Sequence, residues 1–186
     1  SDVTEVKPGD RIIGWLGHGA ARERALVPAD ALIKIPDRLD FERAAALGEH
    51  DHVIQGNLGD ALWQAEGRRN DAIARYRRAI LLAETELEAR PADAALHAQL
   101  GYYYGRVGDQ DQSGRQLSEA LAAGPELLYV QYFVGVSAAD KGDRKTALQA
   151  VTALVRLGFP LALLRSAPEF RSLLQDAEYK KIIGAG

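Results

Sequence analysis

A set of small, apolar and turn-forming residues in the second half of the chain returns after a fixed distance of 34 positions. Leu100, Gly101, Tyr104, Gly108, Ser113, Leu117, Ala120 and Pro125 are answered by Val134, Gly135, Ala138, Gly142, Ala147, Val151, Leu154 and Phe159. A unit of this length cannot bury its own apolar face, so successive units must stack on one another. Within each unit the spacing is that of a helix, a tight turn and a second helix, with small residues where the two helices approach and large apolar ones between them. An earlier copy holds Leu58, Gly59, Gly67, Ala72, Tyr76 and Ala79 in the same order. From Gly67 to Gly108 the distance is 41 residues rather than 34, and the seven extra lie in "LLAETELEARP", which has no Gly or Pro before Pro91. Seven residues are close to two helical turns, so the second helix of this unit is expected to be longer with its apolar face in phase. The distance from Gly59 to Gly67 is one residue longer than from Gly101 to Gly108, which lengthens that turn.

The turn residues fit the same plan. Gly67, Gly108 and Gly142 stand where a helix would end in a left-handed residue, and Asn70, Asp109 and Asp143 are placed to cap the next helix. Gln112, three residues after Asp109, completes the spacing of a capping box.

With three units in one phase, residues 53–159 resemble the tetratricopeptide repeat family. "NLGDALW", "YRRAILLAE" and "HAQLGYYYGRVGD" are most similar to repeat regions attached to bacterial signalling proteins such as serine/threonine kinases and adenylate cyclases. The resemblance implies a concave groove, lined by the first helix of each pair, that takes an extended or helical peptide. Its groove positions fall on Val53, Asn57, Asp60 and Gln64, then on Ala95, Ala98, Gln99, Tyr102 and Arg106, then on Tyr129, Tyr132, Phe133 and Val136. Asn57 matches the asparagine that grips peptide backbone in groups clamping a terminal carboxylate. The basic residues of that clamp are missing, with Gln99 and Phe133 in places where polar or basic groups are expected. What remains is an aromatic wall with one cation, suited to apolar anchors and backbone hydrogen bonds. Tyr102, Tyr129 and Tyr132 are expected on the groove surface, and Tyr76 and Tyr104 between the helices.

Residues 160–186 are broken at Pro160 and Pro168 into short helical runs. Leu163, Leu164, Phe170, Leu173, Leu174, Tyr179 and Ile182 suit a C-terminal cap over the last unit.

Residues 1–48 have a different grammar. A Pro8–Gly9 turn leads into strand-like "RIIGWL" and "RERALVP", then a short extended "ALIKIP", and Asp40 caps a helix of "FERAAAL". Residues 6–47 resemble the medium-chain dehydrogenase/reductase family, in its quinone oxidoreductase branch, at the end of the chaperonin-like catalytic domain. The cofactor domain that follows there has no counterpart here, and no catalytic residue carries over. Gly14, Gly17 and Gly19 of "GWLGHG" lack the strand-then-helix setting that a pyrophosphate cradle needs. Three readings of this segment stay open. It is a fragment still binding a nicotinamide cofactor or quinone, or a cap over the first helix pair through Ile12, Ile13, Trp15, Leu26, Ile33 and Ile35, or a source of strand edges that pair two copies into a homodimer.

Composition narrows the function classes. With 23 basic and 26 acidic residues dispersed along 186, no basic face is offered to nucleic acid. No apolar run approaches the roughly 20 residues of a membrane span, and no charged-then-apolar leader starts at Ser1, so a cytoplasmic address is expected. The chain has neither Cys nor Met, which excludes disulfides and thiolate chemistry, and Ser1 is expected to be the start of a processed or excised chain. His50 and His52 around Asp51 are spaced i, i+2, which turns them apart on a helix, and a solvated junction is the simpler account. His18 and His97 stand alone, no nucleophile elbow is present, and Glu84, Glu86 and Glu88 read as the solvated face of the long helix.

The expected molecule is therefore mainly α: three helix-turn-helix units over residues 49–159, a helical cap over 160–186 and a small β or irregular segment over 1–48. Its expected role is a protein-protein interaction module for a peptide or protein segment, without catalytic, cofactor or metal residues. The candidate groove set is Asn57, Asp60, Gln64, Gln99, Tyr102, Arg106, Tyr129, Tyr132 and Phe133.

Overall fold

The computed structural model describes residues 12–14, 32–34 and 49–184. Its first described elements are β1 (Ile12–Gly14) and β2 (Leu32–Lys34), paired antiparallel with Ile13 opposite Ile33. The other expectations for residues 1–48, including the strand of "RERALVP", the helix after Asp40 and the rest of the Gly14–Gly17–Gly19 run, lie outside the described residues.

From residue 52 onward the chain is mainly helical. Helices α1 (His52–Gln64) and α2 (Arg69–Ala89) are followed by α3 (Ala94–Val107), α4 (Gln110–Ala123), α5 (Leu128–Lys141) and α6 (Arg144–Arg156). Short α7 (Leu161–Ser166), a 3-10 segment (Pro168–Leu173) and α8 (Ala177–Ile182) complete it. Helix α2 has 21 residues and α4 has 14, the seven-residue difference read from the spacing of the glycines. The chain divides into two compact units, Ser1–Arg75 and Tyr76–Gly186, with the division inside α2.

In the second unit the dominant packing is α3 on α4 and α5 on α6, with the first helices α3 and α5 also side by side. Glycine makes the α3–α4 contact possible: a Cβ on Gly101 would stand 2.6 Å from Leu117 Cγ and 3.1 Å from the Leu117 backbone nitrogen. At Gly135 the neighbours are Ala150 Cβ at 3.2 Å and the Phe170 ring at 3.3 Å, which admits the 3-10 segment onto α5.

The turns inside these pairs are built by one Gly-Asp device used twice. Gly108 (φ +91°) and Gly142 (φ +72°) end α3 and α5 in the left-handed region, where a Cβ is disfavoured. The Asp109 N–H then donates to the Tyr104 carbonyl at 3.0 Å and that of Asp143 to Ala138 at 2.9 Å, closing the outgoing helix. The same aspartates open the incoming helix, Asp109 Oδ1 accepting from the Gln112 N–H and Asp143 Oδ1 from the Thr146 N–H, each at 3.1 Å. With the Asp109 N–H given to Tyr104, no reciprocal bond from the Gln112 side chain is needed, so the expected capping box is realised in one direction only. The first turn departs further from expectation. Helix α1 ends at Gln64 with Ala65 extended, so Gly67 (φ +72°) lies in the turn and not at the cap. Helix α2 begins at Arg69, which places Asn70 inside it, and the Ala72 N–H bonds the Arg68 carbonyl at 3.0 Å.

The C-terminal segment packs onto the last pair, the 3-10 segment on α5 and α8 on α6. Phe170 and Tyr179 are fully buried, and the Tyr179 hydroxyl donates to the Leu164 carbonyl at 2.8 Å. Burial pushes that phenol up to about 12. Arg144 holds α8 from outside, donating to Asp176 at 2.5 and 3.1 Å and to Glu178 at 3.0 Å.

Candidate functional site

In the second unit, nine aromatic rings form a continuous ladder. Tyr76 meets Tyr102 edge-on at 6.1 Å and Tyr103 at 6.2 Å, and Tyr102 leans on Phe133 at 5.4 Å. Phe133 touches Tyr129 at 6.1 Å and Tyr132 at 5.8 Å, Tyr132 stacks on Phe159 at 5.7 Å, and Phe170 links Tyr132 to Tyr179. Offset and edge-to-face contacts of this kind each add stabilisation beyond area burial. The rings come from α2, α3, α5, the turn after α6 and the C-terminal segment, so the ladder joins helices separated in sequence.

This ladder takes up most of the surface expected to be an open groove. Tyr102 is 4% exposed and Tyr132 8%, while Gln99 and Phe133 are also buried. The expectation of exposure at Tyr102 and Tyr132 is corrected for a packing reason. Tyr102 is enclosed by Tyr76, Tyr103 and Phe133, and Tyr132 is covered by Phe159 at the end of the third unit and by Phe170 of the C-terminal segment. Tyr129 remains half-buried, and burial raises the pKa of its hydroxyl. Tyr104, expected between helices, is half-exposed with its hydroxyl on Glu84, and its neighbour Tyr103 is the fully buried ring. Its repeat counterpart Ala138 is buried, so the two units differ at this position. Tyr76 is fully buried as expected.

At the C-terminal ends of α3 and α5 lies a charge pair. The Arg106 guanidinium sits 4.8 Å from the Tyr102 ring centre and 2.9 Å from Asp140 Oδ2, with side-chain exposures of 10% for Arg106 and 42% for Asp140. Burial works against the charge, but Tyr102 and Asp140 outweigh it and push the Arg106 pKa above its usual value. Asp140 was not among the residues singled out from sequence. The signal was present, since it occupies the position of Arg106 one repeat of 34 residues later.

The remaining candidates lie on α1, in the first unit. Asp60 is buried, Gln64 is exposed and Asn57 is half-buried, its Oδ1 without a hydrogen-bond partner among the described residues. Asp51 is the α1 N-cap, accepting from Val53 N–H at 2.8 Å and Ile54 N–H at 3.2 Å. His50 is exposed, but His52 is buried at the first position of the helix, so the junction is solvated on one side only. Among the described residues no group of three metal-ligating side chains converges. His97 is buried, its ring nitrogens 2.7 Å from Gln116 Oε1 and 2.9 Å from the Pro91 carbonyl oxygen, so it is held within the fold and not presented as a ligand. Ser113 is fully buried against Gly105, with Lys141 Nζ at 3.3 Å. Among the described residues no helix is long and apolar enough to cross a membrane.

No family model, curated protein or solved structure matches this chain.

Proposed function

We propose that the chain is a protein-interaction module of tetratricopeptide type, binding a peptide or protein segment along α3 and α5 and catalysing nothing itself. The observation that carries this reading is the Arg106–Asp140 pair, a largely covered cation on an aromatic face with its carboxylate open to solvent at the end of a ring-lined helix pair. On α5, Tyr129, Phe133, Val136 and Asp140 follow the i, i+4, i+7, i+11 spacing of one helical stripe. Its middle is buried and its two ends are reachable. A ligand therefore engages the ends, an apolar anchor against Tyr129 and a cationic group against Asp140, with the aromatic ladder as rigid backing. Eleven residues of helix separate the two by about 16 Å, a span matched by about five residues of extended chain.

The test is selection of binders from a displayed random-peptide library on the full chain, followed by fluorescence polarisation with the selected peptides. Peptides carrying an apolar and a basic residue at that separation, weakened by Tyr129→Ala and by Asp140→Ala, are the expected result. Selected peptides that bind both variants as they bind the parent chain would overturn the site. Tyr132→Ala is unsuitable for this purpose, because it removes a buried ring from the ladder.

A further inference from the structure

We propose that the outer face of α2 is a self-association surface, on which a second copy of this chain packs antiparallel about Leu81. Leu81 is 58% exposed, the most exposed large apolar residue among those described. The positions that share its face by helical spacing are Arg78 and Arg77, three and four residues before it, and Glu84, Thr85 and Glu88, three, four and seven after it. All five are exposed. The face thus reads basic, apolar, acidic along the helix.

That order is self-complementary under a two-fold axis. When two such helices run antiparallel with Leu81 on the axis, a residue a given distance before Leu81 lies opposite the residue the same distance after it in the other copy. Arg78 then faces Glu84, and Arg77 lies beside Thr85 and within reach of Glu84 and Glu88. The two Leu81 side chains cover each other. The contact is isologous, so it closes at a dimer. A parallel arrangement would set arginine against arginine and glutamate against glutamate, which selects the antiparallel one.

A second observation is independent of this symmetry. The charges are placed against the interest of an isolated helix. Glu84 and Glu88 repel one another across one turn, and acidic side chains gather toward the C-terminal end, where the helix dipole disfavours them. An antiparallel partner reverses both penalties, bringing arginines to the glutamates and opposing the two dipoles. The glutamates also have local roles, Glu84 accepting from the Tyr104 hydroxyl and Glu86, off this face, pairing with Arg90. Those contacts hold side chains in place without changing the sign of the face. One helix-on-helix contact falls below the area of a stable complex, so the dimer is weak and concentration-dependent. This surface is separate from the α3 and α5 positions of the proposed peptide site, and either reading can fail without the other.

Sedimentation equilibrium of the full chain over a wide concentration range tests it. The parent chain is expected to show a reversible monomer-dimer equilibrium that weakens with salt, because the pairs are at the surface. Leu81→Asp is expected to lower the association constant by about tenfold or more. Arg77→Glu with Arg78→Glu gives one variant, and Glu84→Lys with Glu88→Lys gives the other. Each is expected to be monomeric alone, and an equimolar mixture is expected to form the heterodimer. Misfolding cannot produce that rescue, and circular dichroism of each variant checks its helix content. A parent chain that stays monomeric throughout, a dimer indifferent to Leu81→Asp, or a mixture that does not associate would each overturn the proposal.

Discussion

Replacing Gly101 by alanine tests whether the repeating glycines set the distance between paired helices. The added Cβ would meet Leu117 Cγ at 2.6 Å, Cδ2 at 2.8 Å and the Leu117 backbone nitrogen at 3.1 Å. The Leu117 side chain can rotate, but its backbone cannot retreat without moving α4. The packing cost therefore lies toward the upper part of the range for overpacked cores, about 2–3 kcal/mol. Alanine in mid-helix returns about 1 kcal/mol through its lower conformational entropy cost. The net expectation is destabilisation by roughly 1–2 kcal/mol. Gly114, on α4 in the same pair, is the internal control, since a Cβ there meets nothing within 4 Å. Gly114→Ala should stabilise by about 1 kcal/mol through the same entropy change with no clash. Urea unfolding followed by far-ultraviolet circular dichroism reads both midpoints. Opposite shifts support the close-packing argument, and two shifts of the same sign and size would refute it.

Three other perturbations have defined outcomes. Gly108→Ala forces a side chain into φ +91° and should cost about 1–2 kcal/mol, measured by the same denaturation, although nothing clashes there. Tyr179→Phe leaves the Leu164 carbonyl with only the 3.4 Å bond from the Ala167 N–H and should cost about 1 kcal/mol, with faster amide exchange confined to the C-terminal segment. Asp176 is held down to about 2 by the Arg144 side chain and then by the Tyr179 amide, below its usual value of 3.8. Its folded pKa is depressed, so its contribution is fully present above the usual value and lost as pH falls through about 2. The stability difference between the parent chain and Asp176→Asn should close over that window and stay constant at neutral pH, as read from thermal midpoints against pH.

Much of the helical framework could be read from residues whose chemistry is local. The left-handed glycines at 108 and 142, the Asp109 and Asp143 caps and the seven-residue extension of α2 each depend on a few neighbouring positions. The first turn departs from its spacing because Gly67 and Asn70 have the right identities one to three residues from where the helices stop and start, and hydrogen bonding fixes those ends. The candidate surface was harder for a different reason. Helical period places Tyr102 and Tyr132 on faces, but what covers a face depends on elements far away in sequence, here Tyr76 on α2, Phe159 in the turn after α6 and Phe170 in the C-terminal segment. Family register also sets Tyr104 inside, whereas its neighbour Tyr103 is the buried ring and Tyr104 reaches Glu84 at the surface. The Arg106–Asp140 pair was readable in principle, since a 34-residue repeat brings equivalent positions of neighbouring units together.

The interaction reading is tested most directly by amide hydrogen exchange of the full chain, alone and saturated with a library-selected peptide. New protection is predicted in α3 and α5, strongest in the peptides containing Tyr129 and Asp140, with the outer face of α2 unchanged. Protection confined to other helices, or none in α3 and α5 at saturation, would contradict the account.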